Sequence, residues 1–481
     1  MDLNDLRKEI DNIDVEMVKL FQKRMEISKE IGEYKSQKGL PILDKKREEE
    51  KIECITNLAS NISFKKYLKE LYNKIFQLSR DYQSEISDTF GLIGEKLGHS
   101  FSKEIHQGLG LYTYSLFELK EEEIKDFLLK DRSKGYNVTV PYKKTIMEYC
   151  NFISEEAREI GAVNTIVKGK DGSISGYNTD YYGFIQGLAY AKINPKDKKC
   201  LVLGSGGSSA TVCYALKKLK AKEIIVVSRT GENNYHNLSN HFDSEIIINT
   251  TPVGMYPNNL ESLIDLDNFE KCSGVFDLIY NPIKTKLILD ATKKNIPNSN
   301  GLYMLVAQAM RAAKLFCEEP IDEGRIKEAY SKIYEKKINT ILIGMPGSGK
   351  STVGRRMAER TNRPFVDIDD EIVLRTGKSI SEIFEDEGEE SFRAIESEVL
   401  KDICKKHGFI IATGGGVVTV ESNYDILKQN GELLYIKRDL SFLDTRNRPL
   451  SLNKSVENIY LERKDSYEKW SDKAFYNQEE R

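Results

Sequence analysis

Cysteine is scarce: the 481 residues include only seven, an odd number scattered from Cys54 to Cys404 with no CxxC pair. That pattern excludes a disulfide framework and reads as reduced thiols in a cytosolic setting. Histidine is scarcer still, five in all and none at metal-ligand spacing. A zinc site is therefore not expected, and acid–base work falls to Lys and Asp, with Mg²⁺ carried by a nucleotide as the expected metal. Charge of one sign is also missing: 72 Lys and Arg against 75 Asp and Glu leave a formal −3. With no global field for nucleic acid or an acidic membrane, any anionic ligand must be gripped by local Arg and Lys. There is no apolar run of 18 residues, and the opening MDLNDLRKEI reads as charged helix rather than a leader. A cytoplasmic protein is expected. The length and a 40% hydrophobic content suit about three domains, each with its own core.

The first segment is helical. Leu3, Leu6, Ile10, Ile13, Met17, Leu20, Arg24, Ile27, Ile31 and Tyr34 recur at 3–4 spacing, predicting one long helix that ends by Gly39 and Pro41. At 1.5 Å per residue it runs roughly 50 Å, too long to be stable without a partner helix from another chain. Helical patterns follow near 44–59 and 63–83. Arg24 interrupts the apolar stripe, and Lys35 lies three turns on and nearly on the same face, so something anionic is expected between the helices. Asp44, Arg47 and Glu48 follow the turn; Ser79 and Gln83 share a face four residues apart. Through LRKEID, KRMEISKEIGEYK, PILDKKREEE and SRDYQ, this segment resembles the all-helical chorismate mutases. The resemblance implies an intertwined homodimer whose site holds Arg24, Lys35, Arg47, Glu48, Ser79 and Gln83, with Arg7 reaching into the site of the other chain. Arg7, Arg24 and Arg47 would hold carboxylates, Lys35 and Gln83 would donate to the ether oxygen, and Asp44 and Glu48 would orient the hydroxyl.

Beyond SEISDT, short β-branched runs alternate with helical patterns, an α/β texture. The strand KCLVLG runs into Gly204, Gly206 and Gly207 and then a helix, the context in which a Gly-rich turn admits a pyrophosphate. The next strand ends at Ser228, Arg229 and Thr230. A cation where an NAD site carries an acid favours NADP. Six motifs, HSFS, NVTVPYK, GAVNT, GYNTD, NTTPVGM and GLYMLVAQA, make this region resemble a shikimate dehydrogenase over residues 88–316. By that match Lys143 and Asp180 form the catalytic pair, and Ser100, Ser102, Thr139, Asn164 and Gln308 hold the substrate. Two departures stand out: Lys103 follows HSFS where the family has Pro, and YNPIKTKL lacks the usual Thr-Pro-Leu. Either could shift preference toward quinate.

The third segment opens with NTILIG and GMPGSGKST, a strand followed by a phosphate loop of Gly344, Gly347, Ser348, Gly349, Lys350, Ser351 and Thr352. Lys350 is expected to reach the β- and γ-phosphates of ATP and Ser351 to ligate Mg²⁺. FVDIDDEI, GEESFRAIE, ATGGGVV, RNRPL and ERKDSY then resemble shikimate kinase. The resemblance implies that Asp369 engages the acceptor hydroxyl, that Asp367 sits in the Mg²⁺ sphere, and that Arg393, Arg463 and Gly414, Gly415 and Gly416 bind shikimate. Arg448 would be a lid residue. The family's pattern continues through a further strand and a terminal helix after DSYEKWSDKAFYNQ, which puts adenine contacts in question.

The expected architecture is multidomain: an N-terminal all-α dimerising domain over 1–87, a central α/β dehydrogenase over 88–320, a linker over 321–336, and a C-terminal α/β P-loop kinase over 337–481. Within the dehydrogenase, residues 88–190 and 300–316 form the substrate part and 195–295 a Rossmann-like NADP part. The expected function is trifunctional: chorismate to prephenate, 3-dehydroshikimate to shikimate with NADPH, and shikimate to its 3-phosphate with ATP. The alternative is a quinate/shikimate dehydrogenase–kinase carrying a non-catalytic helical dimeriser.

Overall fold

The computed structural model describes residues 2–37, 44–59, 61, 63–86, 89–98, 100–109, 111–131, 133–317, 323–443 and 455–477. The apolar stripe of the first segment becomes a single helix, Leu3–Gln37, about 52 Å long at 1.5 Å per residue. Its stripe stays exposed in one chain, with Leu3 63% and Leu20 68% accessible. Two shorter helices, Lys45–Asn57 and Phe64–Ile86, follow. Asp44 starts the first of them by accepting the Arg47 N–H at 3.1 Å. The expected stop at Gly39 and Pro41 lies outside the described residues.

Three sheets follow. The first contains β1 (Thr89–Gly94), β2 (Thr113–Glu118), β3 (Gly135–Val138), β4 (Phe152–Ile153), β5 (Thr165–Lys168) and β6 (Ile174–Tyr177), in the order β2-β1-β3-β5-β6-β4. It is mixed, because β5 runs antiparallel to both β3 and β6. The second is wholly parallel: β7 (Lys199–Leu203), β8 (Glu223–Val227), β9 (Ile246–Asn249), β10 (Gly274–Asp277) and β11 (Asn298–Ser299), ordered β11-β10-β9-β7-β8. The third is also parallel: β12 (Asn339–Ile343), β13 (Phe365–Asp367), β14 (Ile410–Ala412), β15 (Gly431–Lys437) and β16 (Lys473–Tyr476), ordered β13-β14-β12-β15-β16. Parallel sheets need both faces covered, and β9 and β10 are buried along their whole length, down to the polar Asn249 and Asp277 at their ends. An edge strand is already in place at Lys473–Tyr476, upstream of the point where the resemblance implied a further one.

By contacts the chain divides into two compact units, Met1–Tyr182 with Gln308–Ala329, and Gly183–Ala307 with Tyr330–Arg481. The first unit holds the mixed sheet, cored by Phe90, Tyr114 and Phe316 on one face and by Ile93, Tyr136 and Ile166 on the other. The second unit holds both parallel sheets; Leu201, Ile247 and Val275 core one, and Ile341, Leu433 and Trp470 the other. The charged stretch before β12 forms the helix Glu323–Lys337, with Ile326 and Ile333 buried. Among the described residues, no helix is long and apolar enough to cross a membrane.

Candidate active sites

In the helical segment Arg24 projects from the long helix onto the third helix. Its Nη1 donates to Ser79 Oγ, and its guanidinium lies 5.5 Å from the centre of the Phe76 ring. Partial burial pulls the Arg24 pKa below its ordinary value, the cost of holding a cation away from water. Lys35 is lowered too, chiefly by burial; Asp44 and Glu48 oppose that and Arg47 adds to it, so these four groups sit within electrostatic reach of one another. Arg7 is exposed near the start of the long helix, and the Gln83 side chain lies outside the described residues. Sequence reasoning missed Arg80, whose Nη1 donates to both Glu48 carboxylate oxygens at 2.5 Å. It stood inside the SRDYQ stretch, but being next to Ser79 it is turned about 100° away on an ideal helix, so spacing alone did not group them.

In the first unit, β3 delivers Thr139, whose N–H donates to Ile93 O at 2.9 Å, and then Lys143. Lys143 Nζ reaches Asp180 Oδ2 at 2.7 Å, with the two side chains 22% and 14% exposed. Asp180 lies in the first turn of the helix Thr179–Tyr190. The residue before it organises the neighbouring amides: Thr179 N–H donates to Asn164 Oδ1 at 2.6 Å, and Asn164 Nδ2 donates to Thr179 Oγ1 at 3.0 Å and Gln308 Oε1 at 2.9 Å. Asn164, Gln308 and the Lys143–Asp180 pair are thus joined through Thr179, a residue inside GYNTD to which no role was given. Ser100 Oγ accepts the Ser102 N–H at 3.2 Å; Ser102 is buried, and Lys103 is exposed on the same helix, Ser102–Gly108.

In the second unit, β7 is followed by Gly204, whose φ of +105° and contact with Thr250 and Thr251 leave no room for a side chain. Gly206 and Gly207 open the helix Gly207–Lys218, and nothing lies within 4 Å of where their Cβ atoms would be. A helix N-terminus facing open space fits a pyrophosphate. Ser228, Arg229 and Thr230 follow β8; Arg229 is exposed and near enough to Tyr235 to oppose the burial that raises that phenol's pKa.

At the end of β12, Gly347 (+80°) and Gly349 (+88°) take the positive φ that a tightly curled phosphate loop requires. Lys350 Nζ is held by the carbonyls of Gly344 at 2.9 Å and Met345 at 3.0 Å. Ser348 Oγ is fully buried without a hydrogen-bond partner among the described residues, as fits a hydroxyl facing a phosphate. Ser351 Oγ donates to Asp367 Oδ2 at 2.6 Å, which pairs the two oxygens that an Mg²⁺ sphere would use. Thr352 is exposed on the helix behind. Asp367 also caps the helix carrying Asp369, whose Oδ1 would lie 3.2 Å from a Cβ at Gly414. Gly416 packs so closely on the Arg393 guanidinium that a side chain there would displace it. Arg463 Nη1 donates to Gly415 O at 3.1 Å, as does the Tyr467 hydroxyl. Arg393, Arg463, Asp369 and the glycine turn are therefore brought together, whereas Arg448 lies outside the described residues. Two contributors were not assigned from sequence. Glu396, the last residue of GEESFRAIE, is fully buried and pairs with Arg393 at 2.7 Å; burial pushes its pKa up against the pull of Arg393. Asn477, one residue past β16, donates to Ser348 O at 2.9 Å and so ties the edge strand to the phosphate loop.

Comparison with known proteins follows the same three segments. The family model for chorismate mutase type II matches residues 6–84, that for the shikimate dehydrogenase substrate binding domain matches 92–166, and that for shikimate kinase matches 346–481. The shikimate dehydrogenase (NADP(+)) of Clostridium perfringens (strain 13 / Type A) is 39% identical over 267 residues, covering 51% of this chain and 97% of that protein. Its counterpart in Clostridium botulinum (strain Hall / ATCC 3502 / NCTC 13319 / Type A) is 40% identical over 257 residues, 49% of this chain and 99% of that one. Among solved structures, a chorismate mutase/shikimate 5-dehydrogenase fusion protein from Clostridium acetobutylicum is 40% identical, covers 52% of this chain and 98% of its own, and has a TM-score of 0.49.

Proposed function

Because the chain belongs to the shikimate dehydrogenase family and carries chorismate mutase and shikimate kinase domains on either side, we propose that all three sites work, through the residues just described. The observation that carries this reading is the Lys143–Asp180 contact at 2.7 Å, linked through Thr179 to the Asn164–Gln308 amides. When bound, NADPH supplies the hydride. Lys143, held by Asp180, gives the proton to the oxygen of the former ketone, while Asn164, Gln308, Ser100, Ser102 and Thr139 orient the ring. Gly204, Gly206 and Gly207 would hold the pyrophosphate, with Ser228, Arg229 and Thr230 at the 2′-phosphate.

In the kinase, ATP with Mg²⁺ supplies the phosphoryl group. Lys350 and the loop N–H groups neutralise its charge, Ser351 and Asp367 would hold the metal, Asp369 aligns the acceptor hydroxyl, and Arg393 and Arg463 grip the acceptor's carboxylate. In the mutase, Arg24 and Arg47 fix carboxylates while Lys35 stabilises charge developing on the ether oxygen. The exposed stripe on Leu3–Gln37 supports pairing with a second copy, so that Arg7 would serve the site of the other chain. Seven cysteines, none in a disulfide among the described residues, support a reducing cytoplasm.

The test supplies the full chain with 3-dehydroshikimate, NADPH and Mg-ATP, then separately with chorismate. Shikimate 3-phosphate and prephenate are the expected products. Absence of prephenate alone would reduce the helical segment to a dimeriser; a preference for NADH would remove the role given to Arg229.

A further inference from the structure

The helix Asn423–Asn430, sequence NYDILKQN, has the polarity of a surface helix, yet Asn423, Ile426, Leu427, Lys428, Gln429 and Asn430 are all buried. Asn423 and Lys428 find partners within the kinase, at Ser397, Val417 and Asp472, whereas Asp425, Gln429 and Asn430 meet the nucleotide lobe of the dehydrogenase, which shares the second compact unit with the kinase. Lys286 and Lys293 hold opposite oxygens of Asp425 at 3.1 and 3.0 Å. Lys284 N–H donates to Gln429 O at 2.8 Å, and the Gln429 side chain pairs with Asn259. Asn430 is the centre of the seam: Oδ1 accepts the Ile283 N–H at 2.9 Å, and Nδ2 donates to Tyr256 Oη at 2.6 Å and Cys404 O at 3.0 Å. Opening the contact would exchange these partners for water, at a net cost of about 0.5–1.5 kcal/mol per hydrogen bond.

This surface is also where the lobe departs from its family. In YNPIKTKL the residue after Thr285 is Lys286 where the resemblance implies proline. Thr285 caps the helix Lys286–Lys293, so residue 286 stands at the first helical position, where proline is well tolerated and no backbone N–H is needed. The helix therefore has no need of a lysine there. Its ammonium goes to Asp290 on its own helix and to Asp425 of the kinase.

We infer that the nucleotide lobe carries a built receptor surface, Tyr256–Asn259 and Ile283–Lys293, for the kinase of the same chain, and that lobe and kinase unfold as one cooperative body. β15 begins immediately after Asn430 and ends at Lys437, whose carbonyl accepts the N–H of the Asn477 that braces Ser348 of the phosphate loop. The seam is thus joined to the ATP-binding loop by one strand.

The chain has a single tryptophan, Trp470, buried in the kinase core, so its fluorescence reports kinase unfolding within the full-length protein. Lys286→Pro, Asp425→Asn and the double variant form a cycle across the seam. Each single substitution should lower the denaturant midpoint read at Trp470, and the pair should couple by at least about threefold in the unfolding constant. Dehydrogenase kcat and KM should stay unchanged in Lys286→Pro. In the unmutated chain, exchange protection of β9 and β10 should be lost together with the Trp470 signal. Strictly additive single effects would overturn the receptor, and a Trp470 transition separate from loss of protection in β9 and β10 would overturn the cooperative body.

Discussion

Replacing Glu396 tests how the kinase holds Arg393, the arginine proposed to grip the acceptor. The side chain is fully buried, its Oε2 receives Arg393 Nη1 at 2.7 Å, and its Oε1 has no hydrogen-bond partner among the described residues. Glu396→Ala removes that partner, opens a small cavity and leaves Arg393, among the described residues, with only the half-exposed Glu389 as an ion-pair partner at 3.2 Å. Losing one partner of a buried pair costs about 3–5 kcal/mol, and the surviving contact to Glu389 argues for the lower end, ~3 kcal/mol. For a unit of this size that is a fall of roughly 6–12 °C in Tm, read at Trp470. KM for shikimate should rise by roughly tenfold or more, because a guanidinium free to swing no longer meets the carboxylate in one geometry. Glu396→Gln separates shape from charge. Burial already opposes the carboxylate's charge and raises its pKa, so an amide oxygen that keeps the contact to Arg393 should cost less than alanine does. If Gln cost as much as Ala, the charge rather than the contact would hold Arg393. If Ala left both Tm and KM unmoved, Glu396 would have no positioning role and the reasoning would fail.

Three further substitutions address the other sites. Lys143→Ala should lower dehydrogenase kcat by roughly 10²–10⁴-fold while leaving phosphorylation of added shikimate intact, measured as NADPH oxidation and shikimate 3-phosphate formation in parallel. Arg24→Leu restores the apolar stripe and should abolish prephenate formation while leaving the sedimentation behaviour of the unmutated chain unchanged; surviving turnover would remove Arg24 from the site. Asp277 is fully buried at the end of β10, hydrogen-bonded to Thr285, Ile279 N–H and Asn249, and burial raises its carboxyl to about 6. A raised pKa means that the folded state holds the proton more tightly, so this contribution is full below about pH 4 and is lost as pH rises through 6, by about 3 kcal/mol. Asp277→Asn should flatten that pH dependence, followed as exchange protection of the β10 amides.

How much of this was legible depended on how far apart the cooperating groups lie along the chain. The phosphate loop is contiguous, so the spacing from Gly344 to Thr352 encodes both its curl and its chemistry, and the structure adds only the carbonyls that hold Lys350. Lys143 and Asp180 are 37 residues apart and were paired through motifs rather than periodicity; the distance of 2.7 Å had to come from the fold. Arg80 and Glu48 meet across two helices, and nothing in either helix's own pattern predicts the other. The helix Asn423–Asn430 is the extreme case. Lys428, Gln429 and Asn430 look like a solvated face, because a polar side chain reads the same in sequence whether water or a distant carbonyl satisfies it. Asn430 and Tyr256 are 174 residues apart, and the only local sign of their meeting was a lysine in YNPIKTKL where the family resemblance implied proline. Departures from a family's pattern at positions that local structure does not require are therefore where long-range partners should be sought first. Lys286 qualifies because its helix would accept proline. Lys103, also in the first turn of its helix, does not, since it is exposed and no ion pair engages it among the described residues.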